Sequence, residues 1–149
     1  MNIREFEISD INDCINDFMQ TFNNEPWNEK WSFERADEYI NDVFNSPKVV
    51  GFVLCEDDKN VAYALCFKRY WWNSDDRYKL LLELFFIKPD YQRKGYGGVL
   101  LEHIEDYAKE NGIRGIMLYT QKNKPCFDFY AKNGYVVMDN VPNVFKALN

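Results

Sequence analysis

The sequence predicts a mixed α/β sheet with helices on both faces, and three observations carry that expectation. The run Tyr78–Lys88 is apolar on both alternations (Leu80, Leu82, Leu84, Phe86 and Leu81, Phe85, Ile87), as a strand buried between two layers is. Apolar residues recur at helical spacing on either side of it. Two earlier apolar runs flank a short polar link, the pattern of a hairpin. At 149 residues the chain has the length of one domain. No repeat, linker or Pro/Gly-rich stretch divides it, so residues 1–149 read as a single domain.

The elements follow in order. Residues 2–8 form a first strand. Asp10 then caps a helix that carries Ile11, Cys14, Ile15 and Phe18 on one face. Residues 22–31 are polar, aromatic and aperiodic, hence a loop. Ser32 caps a second helix that must end before Pro47. Val49–Glu56 and Val61–Trp71, joined by Asp57-Asp58-Lys59-Asn60, make the hairpin. After the polar loop Asn73–Asp76 comes the central strand, broken by Pro89–Lys94. A helix from about Gly97 to Glu110 stops at Gly112. Ile113–Thr120 is another buried strand, and a short helix of roughly Pro125–Asn133 ends at Gly134. Tyr135–Met138 and Val144–Leu148 supply final strands.

Composition limits the function. Twelve Phe, ten Tyr and four Trp within a 46% apolar chain exclude intrinsic disorder. A net charge of −6 argues against a general nucleic-acid or anionic-membrane binder. The charge is divided: residues 1–76 hold 7 Lys/Arg against 16 Asp/Glu, and residues 77–149 hold 11 against 8. A cationic ligand on the first half and an anionic one on the second fit this split, as does ordinary surface unevenness. The cysteines (Cys14, Cys55, Cys66, Cys126) show no C-x-x-C spacing, and with a single histidine, His103, no metal site is expected. The N-terminus lacks the pattern of a signal peptide, and no apolar run approaches the ~20 residues of a membrane span. A reduced, soluble, cytoplasmic protein is the expectation.

The most specific feature is Gln92-Arg93-Lys94-Gly95-Tyr96-Gly97-Gly98, set between an apolar strand and a helix. Glycine permits positive φ and close approach of a ligand to the backbone. The first N–H groups of a helix lack intrahelical partners and carry the positive end of its dipole. Such a turn is a phosphate cradle, to which Arg93 and Lys94 add charge. It is not a Walker A loop, which needs G-x-x-x-x-G-K-[ST]. Nor is it the dinucleotide fingerprint, since Leu100 stands where a glycine is required and Thr120-Gln121 where an acid is expected.

What remains is Gln/Arg-x-x-Gly-x-Gly/Ala. With the preceding Leu84–Asp90, this segment resembles the acetyl-CoA loop of the GNAT acetyltransferase superfamily. Downstream, the family pattern Asn-x-x-Ala-x-x-Phe-Tyr-x-Lys-x-Gly-Phe is met by Asn123, Cys126, Phe129, Tyr130, Lys132, Gly134 and Tyr135. Cys126 for alanine and Tyr135 for phenylalanine are mild departures. The resemblance covers residues 78–138. It implies a mostly antiparallel twisted sheet of about six or seven strands with about four helices, splayed between strands 4 and 5. It further implies acetyl-CoA as co-substrate, its pyrophosphate held by the backbone of residues 92–98 and its pantetheine arm along Phe85, Phe86 and Ile87.

Acetyl transfer from a thioester to an amine needs a base for the ammonium, a donor for the developing oxyanion and an acid for the departing thiolate. The resemblance places Tyr130 as that acid; the competing reading is a tyrosine that only packs. Glu83 is the candidate base, acting through water. It is the only charge between Leu80 and Ile87, on a strand expected to be buried, where burial raises a carboxyl's pKa. It matches a glutamate of polyamine-acetylating relatives; the competing role is a structural partner. A backbone N–H near Phe85 or Phe86 is the expected oxyanion donor. Asn123 either contacts the pantetheine arm or caps the following helix.

Family members place the acceptor between the first two helices and the central strands. Those segments carry Glu25, Trp27, Glu29, Trp31, Tyr70, Trp71, Trp72, Asp75 and Asp76, and aromatic faces with carboxylates suit a cationic amine. Trp27, Trp31, Trp71, Trp72 and Asp75 are the candidate acceptor contacts. Trp27 and Trp31 also suit a core, and Asp75 a solvated turn. The expected function is direct acetyl transfer from acetyl-CoA to a small cationic amine. The alternatives are acetylation of a protein N-terminus or lysine, and a non-catalytic CoA-binding regulatory module. Exposed-looking aromatics and a last strand are compatible with a homodimer.

Overall fold

The computed structural model describes residues 1–70 and 78–148. Trp71, Trp72, Asp75 and Asp76, expected on the acceptor side, lie outside the described residues. Contacts divide the chain into two units, Met1–Tyr119 and Thr120–Asn149.

The first unit is a five-stranded sheet in the order β1 (Asn2–Glu5), β2 (Val49–Glu56), β3 (Lys59–Tyr70), β4 (Tyr78–Ile87) and β5 (Ile116–Met117). All neighbours are antiparallel except β4 and β5. That parallel pair is joined through α3 (Tyr96–Glu110), because parallel strands need a long crossover. Helices α1 (Ile11–Phe22) and α2 (Phe33–Phe44) pack together. Their buried faces, including Ile11, Cys14, Ile15, Phe18, Ala36, Ile40 and Val43, meet Tyr63, Leu65, Leu84 and Phe86 of the sheet. Helix α3 lies against β3 and β4, burying Leu100, Leu101, Ile104 and Ala108. His103 sets its ring 4.8 Å from Phe52, a packing contact.

Several local details differ from the sequence expectation. The hairpin turns in two residues, not four. Asp57 and Asp58 both adopt positive φ (50° and 60°), the conformation of a type I′ turn whose twist matches that of paired strands. Ser32 caps α2 as expected, its side chain accepting the Arg35 N–H at 3.2 Å. Asp10 makes no side-chain cap to α1; its carboxylate turns back to Arg4 and the Glu7 N–H. Strand β5 is two residues long, not eight.

The sheet has five strands rather than six or seven, because residues 135–148 form neither helix nor strand. Alternating apolar residues favour extended chain, but a strand also needs a ladder partner. Here Val136, Val144, Phe145 and Leu148 are exposed.

The ladder of β3 with β4 skips one residue. Leu65 faces Leu84 and Cys66 faces Leu82, leaving Glu83 as the extra residue of a bulge. A one-residue insertion reverses which face each later side chain occupies. Leu84 and Phe86 therefore join the cluster under α1 and α2, while Leu80 and Leu82 are buried outside it. The strict alternation read from the sequence, with these four on one face, is thus corrected.

In the second unit, α4 (Pro125–Lys132) has Tyr130 as its buried residue. The Tyr130 ring lies 5.1 Å from Phe129 and 5.7 Å from Tyr135. Gly134, at φ +89°, reverses the chain after the helix.

Candidate active site

Strand β4 leads into the glycine turn through a short 3-10 helix, Pro89–Tyr91. The Gln92 side chain donates to the Ile87 carbonyl at 2.9 Å, tying the turn to the strand end. Arg93 takes φ +61° and Gly95 φ +87°, so the chain passes through two left-handed residues before α3 begins at Tyr96. Val99 N–H closes the first helical bond to the Gly95 carbonyl at 3.2 Å, so the N–H groups of Tyr96, Gly97 and Gly98 precede any intrahelical acceptor. The first turn of α3 carries no acidic residue, and Arg93 and Lys94 stand exposed beside it. Its dipole is therefore offset by no side chain of its own.

Tyr96 donates its hydroxyl to Glu56 on β2, and this bond pushes the phenol up to about 12. Lys94 lies 5.6 Å from the centre of the Tyr91 ring. A Cβ built at Gly95 or Gly98 meets nothing within 4 Å, so the outer face of the turn is open to a ligand. A left-handed glycine turn, a helix N-terminus without acid and two exposed cations fit the diphosphate of acetyl-CoA.

Phe85 pairs with Ala64 and Phe86 with Tyr63. The Phe86 ring stacks on Tyr63 at 5.1 Å and meets Phe18 and Phe22 at 6.0 and 5.7 Å. Its side chain belongs to the core, so any contact of Phe86 with a coenzyme arm is through its backbone. The parallel ladder of β4 with β5 joins Leu80 to Ile116 and Leu81 to Met117, whereas β4 runs on to Ile87. This short pairing is the divergence between strands 4 and 5.

Glu83 is exposed, which overturns the expectation of a buried carboxylate. The bulge supplies the physical reason: it lifts the extra residue out of regular pleating. Its Oε1 accepts the Tyr39 hydroxyl at 3.3 Å, placing it on the side of α2. Burial, and then the Glu83 charge, hold the Tyr39 phenol well above its usual range.

An aromatic wall backs the Tyr39 ring. Trp31 lies 5.4 Å from Tyr39 and 4.9 Å from Phe18, and the Arg35 guanidinium sits 4.9 Å over its ring. The Trp31 Nε1–H donates to Glu29 at 2.7 Å. Asn23 clasps the Trp31 backbone twice, accepting its N–H at 2.7 Å and donating to its carbonyl at 2.9 Å. Trp27 packs 5.4 Å from Phe22. Trp31 is thus engaged on ring and edge, and its evident work is to order the loop that presents Glu29.

Deeper in the same face, the Tyr63 hydroxyl donates to Asp17 at 2.5 Å, and Lys88 approaches the same carboxylate at 3.4 Å. Burial pushes the Cys66 thiol up to about 12 and the Cys14 thiol higher still, which disfavours the reactive thiolate at both.

In the second unit, Asn123 is exposed and precedes the cap of α4, which is Lys124; Asn123 is therefore not the cap residue. Cys126 Sγ lies 3.1 Å from the Thr120 hydroxyl.

Sequence reasoning missed Tyr39. The available signal was its place beside Ala36, Ile40 and Val43 on the inward stripe of α2, where a hydroxyl needs a partner.

The model of the acetyltransferase (GNAT) family matches residues 12–135. The chain belongs to the GNAT acetyltransferase family. An uncharacterized N-acetyltransferase of Methanocaldococcus jannaschii is 27% identical over 111 residues, 73% of this chain and 44% of that protein. This GNAT chain therefore spans less than half the length of that relative. A spermidine N(1)-acetyltransferase of Thermoplasma acidophilum is 42% identical over 60 residues, 40% of this chain and 37% of that protein. A crystal structure described as a possible acetyltransferase from Clostridium difficile 630 superposes with a TM-score of 0.82 at 18% identity, covering 99% of this chain and 98% of that one. These likenesses agree with the GNAT fold derived above. No helix among the described residues is long and apolar enough to cross a membrane.

Proposed function

We propose that this GNAT chain is an acetyl-CoA-dependent N-acetyltransferase that transfers acetyl directly to the primary amine of a small cationic molecule. The observation that carries the reading is that one strand joins the two candidate sites. β4 presents Glu83 at its bulge, beside the Tyr39 hydroxyl, and then runs into the glycine turn. Glu29 and Glu83 both act on Tyr39, so two carboxylates stand together at a place that suits a cationic amine. The acidic first half of the chain and the partial likeness to a spermidine acetyltransferase point the same way.

Acetyl-CoA supplies an acetyl group activated as a thioester. The turn of Gln92–Gly98 binds its diphosphate through backbone N–H groups, with Arg93 and Lys94 adding charge. Glu83 accepts the ammonium proton, directly or through one water, so that nitrogen gains the lone pair needed to attack the carbonyl carbon. As the carbon–sulfur bond breaks, Tyr130 donates its phenolic proton to the sulfur, and the second proton of the attacking nitrogen, released as the amide forms, restores the phenol; this role rests on the place of Tyr130 in the matched Phe-Tyr motif. Asn123 is assigned to the pantetheine arm on the same ground.

Thiol release from acetyl-CoA tests the reading, with spermidine, an aminoglycoside, a lysine-containing peptide and a peptide with a free N-terminus as acceptors. Release with spermidine or the aminoglycoside supports it. Release with a peptide alone moves the chain to the protein acetyltransferases. Coenzyme binding without release from any acceptor makes it a CoA-binding module.

A further inference from the structure

We propose that Tyr39 is a positioning residue for Glu83, fixing the direction in which that carboxylate meets the acceptor amine. The inference rests on the reading of Glu83 as the base.

An exposed glutamate on a bulge has several rotatable bonds, and nothing in the strand itself aims its carboxylate. The Tyr39 hydroxyl reaches it from α2 at 3.3 Å. Tyr39 is itself held, since its ring packs against Trp31 and Phe18, and Trp31 is clamped by Asn23 and Glu29. The orientation of Glu83 is thereby inherited from a packed wall, as a base needs if it is to meet its proton in one geometry. A phenol suits this task better than a cation. It donates one hydrogen bond and leaves the negative charge free to take a proton.

Among the described residues, the titratable and charged groups facing this pair include Glu29 from the loop before α2, Cys14 from α1 and Arg35 on α2, stacked over Trp31. Burial keeps Cys14 protonated, so its thiol adds no charge at neutral pH.

The test follows the Glu83 carboxyl carbon by 13C NMR through a pH titration of the whole chain, its signal assigned by its loss in Glu83→Gln. Tyr39→Phe keeps the ring and removes only the donor. A donor to the charged form favours that form, so the carboxyl signal should titrate at higher pH in Tyr39→Phe than in the parent. With the acceptor that releases most thiol, Tyr39→Phe should lower kcat about fivefold and leave the KM for acetyl-CoA unchanged. The double variant should be no slower than Glu83→Gln.

An unmoved midpoint, or a normal kcat beside a moved one, overturns the positioning role. Full activity of Glu83→Gln instead removes the base itself. That separate result would take the proposal down through its premise. If no acceptor releases thiol, the transferase reading fails and the inference falls with it.

Discussion

Arg4 grips Asp10 through two bonds of 2.7 Å, one from each terminal guanidinium nitrogen. The same carboxylate accepts the Glu7 N–H at 2.8 Å and the Asn60 amide at 3.0 Å, so β1, the start of α1 and the β2–β3 hairpin converge on one buried anion. Burial pushes the Asp10 carboxyl up, but these donors outweigh it and hold it below the usual carboxylate range. A depressed folded-state pKa contributes stability that is fully present above the unfolded value of about 4. That contribution is lost as pH falls from there through the lower folded value. Asp10→Asn should therefore cost about 1–3 kcal/mol at pH 7, toward the lower end because the Arg4 side chain is 36% exposed and screened by water. Urea unfolding at pH 7 and pH 2.5 checks this: the variant should lose less stability on acidification than the parent. Equal losses would assign the acid sensitivity to other carboxylates.

Gly51 is required for space. A Cβ there would stand 2.7 Å from Leu65 Cδ2 and 2.8 Å from Phe6 Cβ, and the second neighbour is fixed to backbone. Gly51→Ala should destabilise by about 1–3 kcal/mol through overpacking, lowering Tm by roughly 3 °C per kcal/mol. An unchanged melting temperature would mean that β1 yields without penalty.

What could be read from sequence was what local chemistry determines. Ser32 caps α2 because its hydroxyl and the Arg35 N–H are three residues apart, and Gly95 starts α3 because its φ of +87° suits glycine. The bulge at Glu83 was not legible. A strand apolar on both faces shows no period, so an inserted residue leaves no mark in it, and the lone glutamate looked buried. The final strands mislead for the opposite reason: Tyr135–Met138 and Val144–Leu148 have strand composition, but pairing is a property of the fold. Tyr39 escaped notice because its partner lies 44 positions away.

The cradle is tested at Gly97, the second residue of α3. Valine there places a branched side chain where the resemblance puts the diphosphate, and calorimetry should show coenzyme affinity reduced about tenfold or more. Gly95→Ala should act through the backbone instead, since holding alanine in a left-handed conformation costs about 1–2 kcal/mol. Acetyl-CoA binding unchanged in Gly97→Val would refute the cradle.

Tyr130 separates chemistry from packing most directly. Its ring is buried between Phe129 and Tyr135, and its carbonyl accepts the N–H groups of Asn133 and Tyr135 at 3.0 and 3.1 Å. Tyr130→Phe preserves all of these contacts and deletes one ionisable proton. If that proton reaches the leaving sulfur, turnover should fall about a hundredfold, the range of a lost general acid, while acetyl-CoA affinity and melting temperature stay near the parent's. Parallel falls in turnover, affinity and stability would instead make Tyr130 a tyrosine kept for the packing of its own unit.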